Sequence, residues 1–184
     1  MERTSRENTR NRRTPVDRRT MSRRRREAEA NIDMTSYDAI MDRALELLSL
    51  TDLVTYLARI GSFAICNILE ISRPKVIVSR ETDFGCYDPI SNTVCIGFRG
   101  GSLSNMESFE NFAEIVAHET RHKWQFDTGM FSINDEYIPA SVDYQAYKNQ
   151  PIEVDAFEYG EAAKKVLAKY MLNTLHKALL KKGL

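Results

Sequence analysis

His118, Glu119 and His122 are the residues of this chain whose types and spacing can do chemistry, in the order His118-Glu119-Thr120-Arg121-His122. The apolar residues Phe109, Phe112, Ile115 and Val116 recur at helical spacing just before them, and no Pro or Gly interrupts the run from Glu107 to Thr128. The pattern predicts a helix from about Asn105 to Phe126. Positions four apart on a helix lie one above the other on one face, so His118 and His122 can offer two imidazole nitrogens to one metal ion. Neutral imidazoles leave the full charge on a Zn²⁺ ion, which lowers the pKa of a bound water toward about 7. Glu119 stands beside them, placed to take that water's proton and pass it to a leaving group. Of the three histidines in the chain, two make this pattern.

A catalytic zinc takes three protein ligands and keeps a fourth position open. The remaining histidine, His176, sits among Lys177, Lys181 and Lys182 near a helix C-terminus, where a solvated cation is at home. The better third ligand lies in Pro151-Ile152-Glu153-Val154-Asp155-Ala156-Phe157. Pro151 suits a first helical turn, which puts Glu153 and Ala156 one turn apart and lets Phe157 pack inward. Asp155 is the alternative, either as the ligand or as the acceptor that holds a histidine N–H.

The pattern of His118, Glu119 and His122, followed some thirty residues later by Glu153 and Ala156 as Glu-x-x-Ala, resembles the gluzincin branch of the zincin metallopeptidases. It is most similar to small members of the ImmA/IrrE type and to phage or mobile-element peptidases. Gly85-Cys86-Tyr87, followed by a turn and a strand, resembles the hairpin that precedes the active-site helix in minimal zincins. The likeness covers residues 75–165. It departs from the ImmA/IrrE pattern after Ala156, where Phe157-Glu158-Tyr159 stands in place of Asn-x-Phe-Ala. The chain lacks the third histidine of SprT-like enzymes, and Gln125 stands where metzincins carry a glycine. The resemblance implies a zinc cofactor held by His118, His122 and Glu153, with Glu119 as general base.

These residues must be positioned by a small set of elements. Thr35 or Ser36 can cap a helix to about Leu50, with Ile40, Ala44, Leu47 and Leu48 as its apolar stripe. Thr51 or Asp52 opens a second helix to about Ile71, stopped by Arg73-Pro74; Gly61 within it lowers helix stability and permits close packing. Lys75–Arg80 reads as a strand and Gly85–Phe98 as a hairpin turning at Asp88–Asn92. Residues 128–150 carry few regular signals, and a helix follows from 151 to 170, continuing or restarting to Lys181. The expected class is α+β, a small antiparallel sheet packed on helices, with residues 32–184 as one zincin-like domain.

Charge is balanced overall but unevenly spread. Residues 1–31 hold 11 Arg, no Lys and 5 acids, a local balance of +6; the other 153 residues hold 15 basic and 21 acidic side chains. Met1, Val16 and Met21 are the only large apolar residues of that first segment, which is therefore expected to be disordered. It can neutralise nucleic-acid phosphates or an acidic partner, though no aromatics are interleaved for base stacking, and Met21 and Met34 offer alternative starts. The segment lacks the apolar face that a membrane-binding helix needs. No apolar run of signal-peptide or membrane-spanning length is present, and three cysteines fit a reducing, cytoplasmic setting. Cys86 and Cys95 flank the hairpin turn and can face each other as two strand thiols; Cys66 falls in an apolar helix.

The expected activity is hydrolysis of a peptide bond in a cytosolic protein. An extended substrate would add as a strand to an edge near Val94–Phe98. A tyrosine between the two ligand helices would steady the oxyanion, Tyr144 or Tyr147 ahead of Tyr137 because they lie closer to Glu153. Arg121 and Lys123 read as solvated helix charges, with Arg121 also able to pair with a nearby carboxylate. Trp124 reads as core or wall. The competing expectation is a zincin-like scaffold whose Arg-rich segment docks on nucleic acid or an assembly.

Overall fold

A computed structural model describes residues 36–82, 84–99, 101–131 and 136–181. The Arg-rich segment 1–31 and Thr35 lie outside the described residues. Helix α1 (Tyr37–Leu47) starts at Ser36, whose hydroxyl accepts the Ala39 N–H at 3.2 Å. It ends earlier than its apolar pattern suggests because Ser49 belongs to the next helix, α2 (Leu50–Ile68). The Ser49 hydroxyl accepts the Asp52 N–H at 3.1 Å and donates to the Asp52 carboxylate at 2.6 Å, taking the capping role expected of Thr51 or Asp52. At its other end, Glu70 adopts a left-handed φ of 55°, and the Ile71 N–H reaches back to the Cys66 carbonyl at 3.0 Å. That closure satisfies a terminal carbonyl and stops α2 ahead of Arg73-Pro74.

Three strands follow: β1 (Lys75–Ser79), β2 (Cys86–Asp88) and β3 (Thr93–Gly97). The hairpin forms as expected, antiparallel, with Cys86 opposite Cys95 and Tyr87 opposite Val94. The sheet as a whole is mixed, not antiparallel, because β1 pairs parallel to β3 in the order β1-β3-β2. The cause is burial. Val94 and Ile96 are fully buried, so β3 takes the centre with both edges paired. The chain from β1 to β3 spans 13 residues and contains β2, long enough for the crossover that parallel strands require. The class is α+β.

Helix α3 (Met106–Asp127) is capped by a reciprocal pair: Asn105 Oδ1 accepts the Ser108 N–H at 2.8 Å, and Ser108 Oγ accepts the Asn105 N–H at 3.2 Å. A short helix, α4 (Tyr144–Lys148), interrupts the stretch that carried few regular signals, capped by Asp143 on the Gln145 and Ala146 N–H groups. Helix α5 (Pro151–Lys181) then runs unbroken for 31 residues. None of the described helices is long and apolar enough to cross a membrane.

Helix α3 is the centre of the molecule. It packs on α2, α5, β2 and β3, and its buried Phe109, Phe112, Ala113 and Val116 join Leu57, Ile65, Ile96 and Met171 in one core. Three helices meet at Gly61, where an added Cβ would come 2.9 Å from both Val116 Cγ1 and Met171 Sδ. Gly61→Ala is therefore expected to lower stability by about 1 kcal/mol in urea unfolding, since overpacking outweighs the better helix propensity of alanine. A stabilised variant would show that the three helices separate easily.

Candidate metal centre

The turn of α3 that carries His118, Glu119 and His122 crosses the first turn of α5, which carries Glu153. All four side chains are buried. The His118 and His122 Nε2 atoms lie 3.0 Å apart. Glu153 closes the group, with Oε2 at 3.2 Å from His118 Nε2 and Oε1 at 3.6 Å from His122 Nε2. An ion bound tetrahedrally through bonds of about 2.0–2.1 Å has donor–donor edges of about 3.3–3.4 Å. The three observed separations bracket that edge. The Glu119 carboxylate belongs to the same cluster, within 4.8 Å of the ligand atoms of both histidines.

Charge points the same way. With neutral imidazoles, two buried carboxylates leave this site doubly negative, a state that is costly unless a cation sits among them. Among the described residues, Glu119 Oε2, Glu153 Oε2 and His118 Nδ1 are buried without a hydrogen-bond partner. The two carboxyls are also pushed in opposite directions. Burial drives Glu119 upward, further helped by Glu153 and opposed by the two histidines. Burial acts on Glu153 too, but hydrogen bonds with His118 and His122 overcome it and hold that carboxyl well below the usual range. Glu153 suits a permanent anion, and Glu119 suits a proton acceptor.

The neighbouring contacts settle the protonation of one imidazole. Gln125 Nε2 donates to the Ile152 carbonyl at 2.8 Å and to Asp155 Oδ2 at 2.7 Å, both pure acceptors. The amide oxygen must therefore face His122, where Oε1 lies 2.8 Å from Nδ1. An acceptor there requires a proton on Nδ1, and Nε2 is the nitrogen that faces the cluster. Asp155 also receives Arg121 Nε and Nη2 at 2.7 and 2.9 Å, and that guanidinium stacks 3.6 Å from the Trp124 ring. Trp124 is thus a half-buried wall.

Several expected roles are redistributed. Asp155 neither ligates nor touches a histidine; Gln125 stands between them. Gln125 lies three residues after His122, on the same helix face, which is the signal that identifies it. Arg121 pairs with a carboxylate as anticipated, but Lys123 is not solvated. It is 1% exposed and donates to Asp127 Oδ2 at 2.8 Å, because α3 is enclosed at this turn by α2, α5 and the sheet. His176 lies 23 residues beyond Glu153 on the same straight element, about 35 Å away along the helix axis.

The tyrosines divide differently from their order in the chain. Tyr137 donates to Glu153 Oε1 at 2.8 Å, and Tyr147 lines the same cavity as Glu153. Burial first, then Glu153, pushes both phenols far above their ordinary range, so both stay protonated donors. Tyr144 stacks on the outer side of Tyr147, with centroids 6.1 Å apart, and is exposed. Tyr147, one helical turn beyond Tyr144, takes the place at the cavity and leaves Tyr144 outside it.

A cavity of about 280 Å³ opens beside the cluster, lined by Glu119, His122, Glu153, Tyr137, Tyr147 and the β2 residues Cys86 and Tyr87. The strand edge beside it is that of β2, not the Val94–Phe98 strand, since β3 is paired on both sides. Gly85 leads into β2, and a Cβ there would fall 2.4 Å from Glu119 Oε1. Only glycine lets the backbone approach the carboxylate so closely. Ala156 and Gly160 serve the opposite side, where a Cβ on Gly160 would lie 3.1 Å from the Glu114 carbonyl, so α5 closes tightly on α3.

No protein-family model, curated protein or solved structure matches this chain.

Gln125→Leu removes the acceptor that fixes His122, together with two hydrogen bonds from α3 to α5, so its urea unfolding is compared with that of the wild type alongside the metal titration. Its expected effect is a loss of about 10–100-fold in affinity for a divalent transition metal, measured by competition with a chromophoric chelator. Unchanged affinity would mean that the cluster orders His122 without help.

Proposed function

We propose that the protein is a zinc-dependent metallopeptidase of the zincin type, with His118, His122 and Glu153 as ligands and Glu119 as general base. The observation that carries the proposal is the convergence of two imidazole nitrogens, 3.0 Å apart, on one carboxylate whose two oxygens lie 3.2 Å from His118 Nε2 and 3.6 Å from His122 Nε2. Beside them lies a second buried carboxylate that is not needed as a ligand. A bound zinc ion would supply Lewis-acid charge, bringing the pKa of water down to about 7 and polarising a carbonyl.

The chain's own residues supply the rest. Glu119 accepts a proton from the attacking water and returns it to the leaving amine. Its buried setting matches a group that must change protonation at neutral pH. Gln125 keeps the Nε2 lone pair of His122 available. Tyr137 orients Glu153 through its single hydroxyl hydrogen, and Tyr147, protonated and on the cavity wall, is the donor left for a developing oxyanion. A peptide is favoured over a small metabolite because an unpaired strand edge, β2, borders the cavity. An extended chain can pair with that edge and present its carbonyl beside Glu119. The free thiols of Cys66, Cys86 and Cys95 agree with action in a reducing cytosol.

Metal analysis of the purified protein is expected to give one equivalent of zinc, lost in His122→Ala and in Glu153→Ala. Wild-type protein that binds no zinc from a buffered excess would refute the proposal. Glu119→Gln is expected to retain zinc and fold while hydrolysis of a peptide library falls by at least about 10²-fold. Hydrolysis at the wild-type rate in that variant would remove Glu119 from the chemistry.

A further inference from the structure

Cys86 and Cys95 form a second reactive cluster, and the chemistry at the metal ligands makes no use of it. They are register partners across β2 and β3. Facing residues of an antiparallel pair point to the same side of the sheet, with Cα atoms about 4.5 or 5.5 Å apart according to the bonding class of the pair. A disulfide spans Cα separations of about 4.4–6.8 Å, so either class meets the requirement. Cys86 is exposed and lines the cavity beside Glu119 and His122, whereas Cys66 is buried. Facing Cβ atoms must approach by about 1 Å to reach bonding distance. β2 is a three-residue strand at the edge of the sheet among the described residues, so the approach falls on a short segment at the rim.

We propose that Cys86 and Cys95 form a reversible dithiol–disulfide couple on the rim of the cavity, oxidised by a low-molecular-weight disulfide. The exposed Cys86 thiolate attacks one sulfur of that disulfide, its S–S bond breaks, and one small thiolate leaves. Cys95 then attacks the Cys86 sulfur of the mixed disulfide and expels the second small thiolate. Two electrons pass from the cysteine pair to the oxidant, and the two cysteine protons end on the two released thiolates. Oxidation replaces an exposed thiol on the cavity wall with a covalent tie between the edge strand and the central strand. Although Cys86 reaches solvent, desolvation of its sulfur, with Cys95 and Glu119 nearby, pushes the thiol up to about 11. Thiolate is therefore scarce at neutral pH, which slows exchange. A high thiol pKa also makes Cys86 a poor leaving group, which favours the disulfide once it has formed.

The test is equilibration of the full-length protein across a series of reduced and oxidised glutathione ratios, followed by acid quenching, alkylation after unfolding, and peptide mass analysis. Cys86 and Cys95 are expected to lose alkylation together, as a single two-electron step and with the loss of two hydrogens, while Cys66 stays fully alkylated. In Cys95→Ser, Cys86 is expected to stop at a glutathione adduct, with the melting temperature of the reduced variant near that of the reduced wild type. A stable glutathione adduct on Cys86 beside a free Cys95 in the wild type would overturn the proposal. So would two thiols that resist oxidation at every ratio while the urea-unfolded chain oxidises.

Discussion

The structure is organised around two carboxylates that are buried where a protein interior does not welcome charge. Glu119 and Glu153 share one small volume with two imidazoles, and each keeps a carboxylate oxygen without a hydrogen-bond partner among the described residues. Removing an ionised carboxylate from water costs several kcal/mol even after relaxation. A fold tolerates two only where a cation resides or where one carboxyl is protonated. The opposite shifts of Glu119 and Glu153 record the second solution. The close spacing of the imidazole nitrogens and the Glu153 carboxylate suits the first. Both follow from one geometric fact: α3 and α5 approach closely enough to put side chains from sequence positions 118 and 153 in contact.

That approach is enforced from three directions. Small residues, Ala156 and Gly160, let the helix backbones come together. The paired hydrogen bonds from Arg121 to Asp155 and the Gln125 bonds to Asp155 and the Ile152 carbonyl tie one helix to the other next to the cluster. Gly85 brings the hairpin backbone down onto Glu119 from the sheet side. The same polar contacts that join the helices also set the tautomer of His122. Mechanical and electronic roles are thus carried by one group, Gln125.

Much of this is legible in the sequence because local rules govern it. The spacing of His118 and His122, the apolar period of α3, the Pro151 start of α5 and the hairpin turn at Asp88–Asn92 each depend on neighbours within one or two turns of chain. What escapes local rules is whatever depends on distant partners. The mixed sheet follows from β3 being the most buried strand, which decides the pairing of β1 only in three dimensions. Lys123 looks solvated until α2, α5 and the sheet enclose its turn. Tyr137 reaches Glu153 while the nearer Tyr144 faces solvent, because α4, a five-residue helix held by its Asp143 cap, is too short to leave a hydrophobic period.

The resulting molecule is unequal in rigidity by construction. Its ligands stand on helices whose surroundings are buried and hydrogen-bonded, which is where positional accuracy of a fraction of an ångström can be kept. The surface that would receive a substrate is a three-residue strand, paired on one edge only among the described residues and packed on α3 through Tyr87. Such an edge can adapt to a partner at little energetic cost, and its shortness also limits uncontrolled pairing with other chains. Cys86 sits on that adaptable strand and Cys95 on the fixed one. Any bond between them would therefore couple the edge strand on the cavity wall to the most buried strand of the sheet, leaving the helices that carry His118, His122 and Glu153 in place.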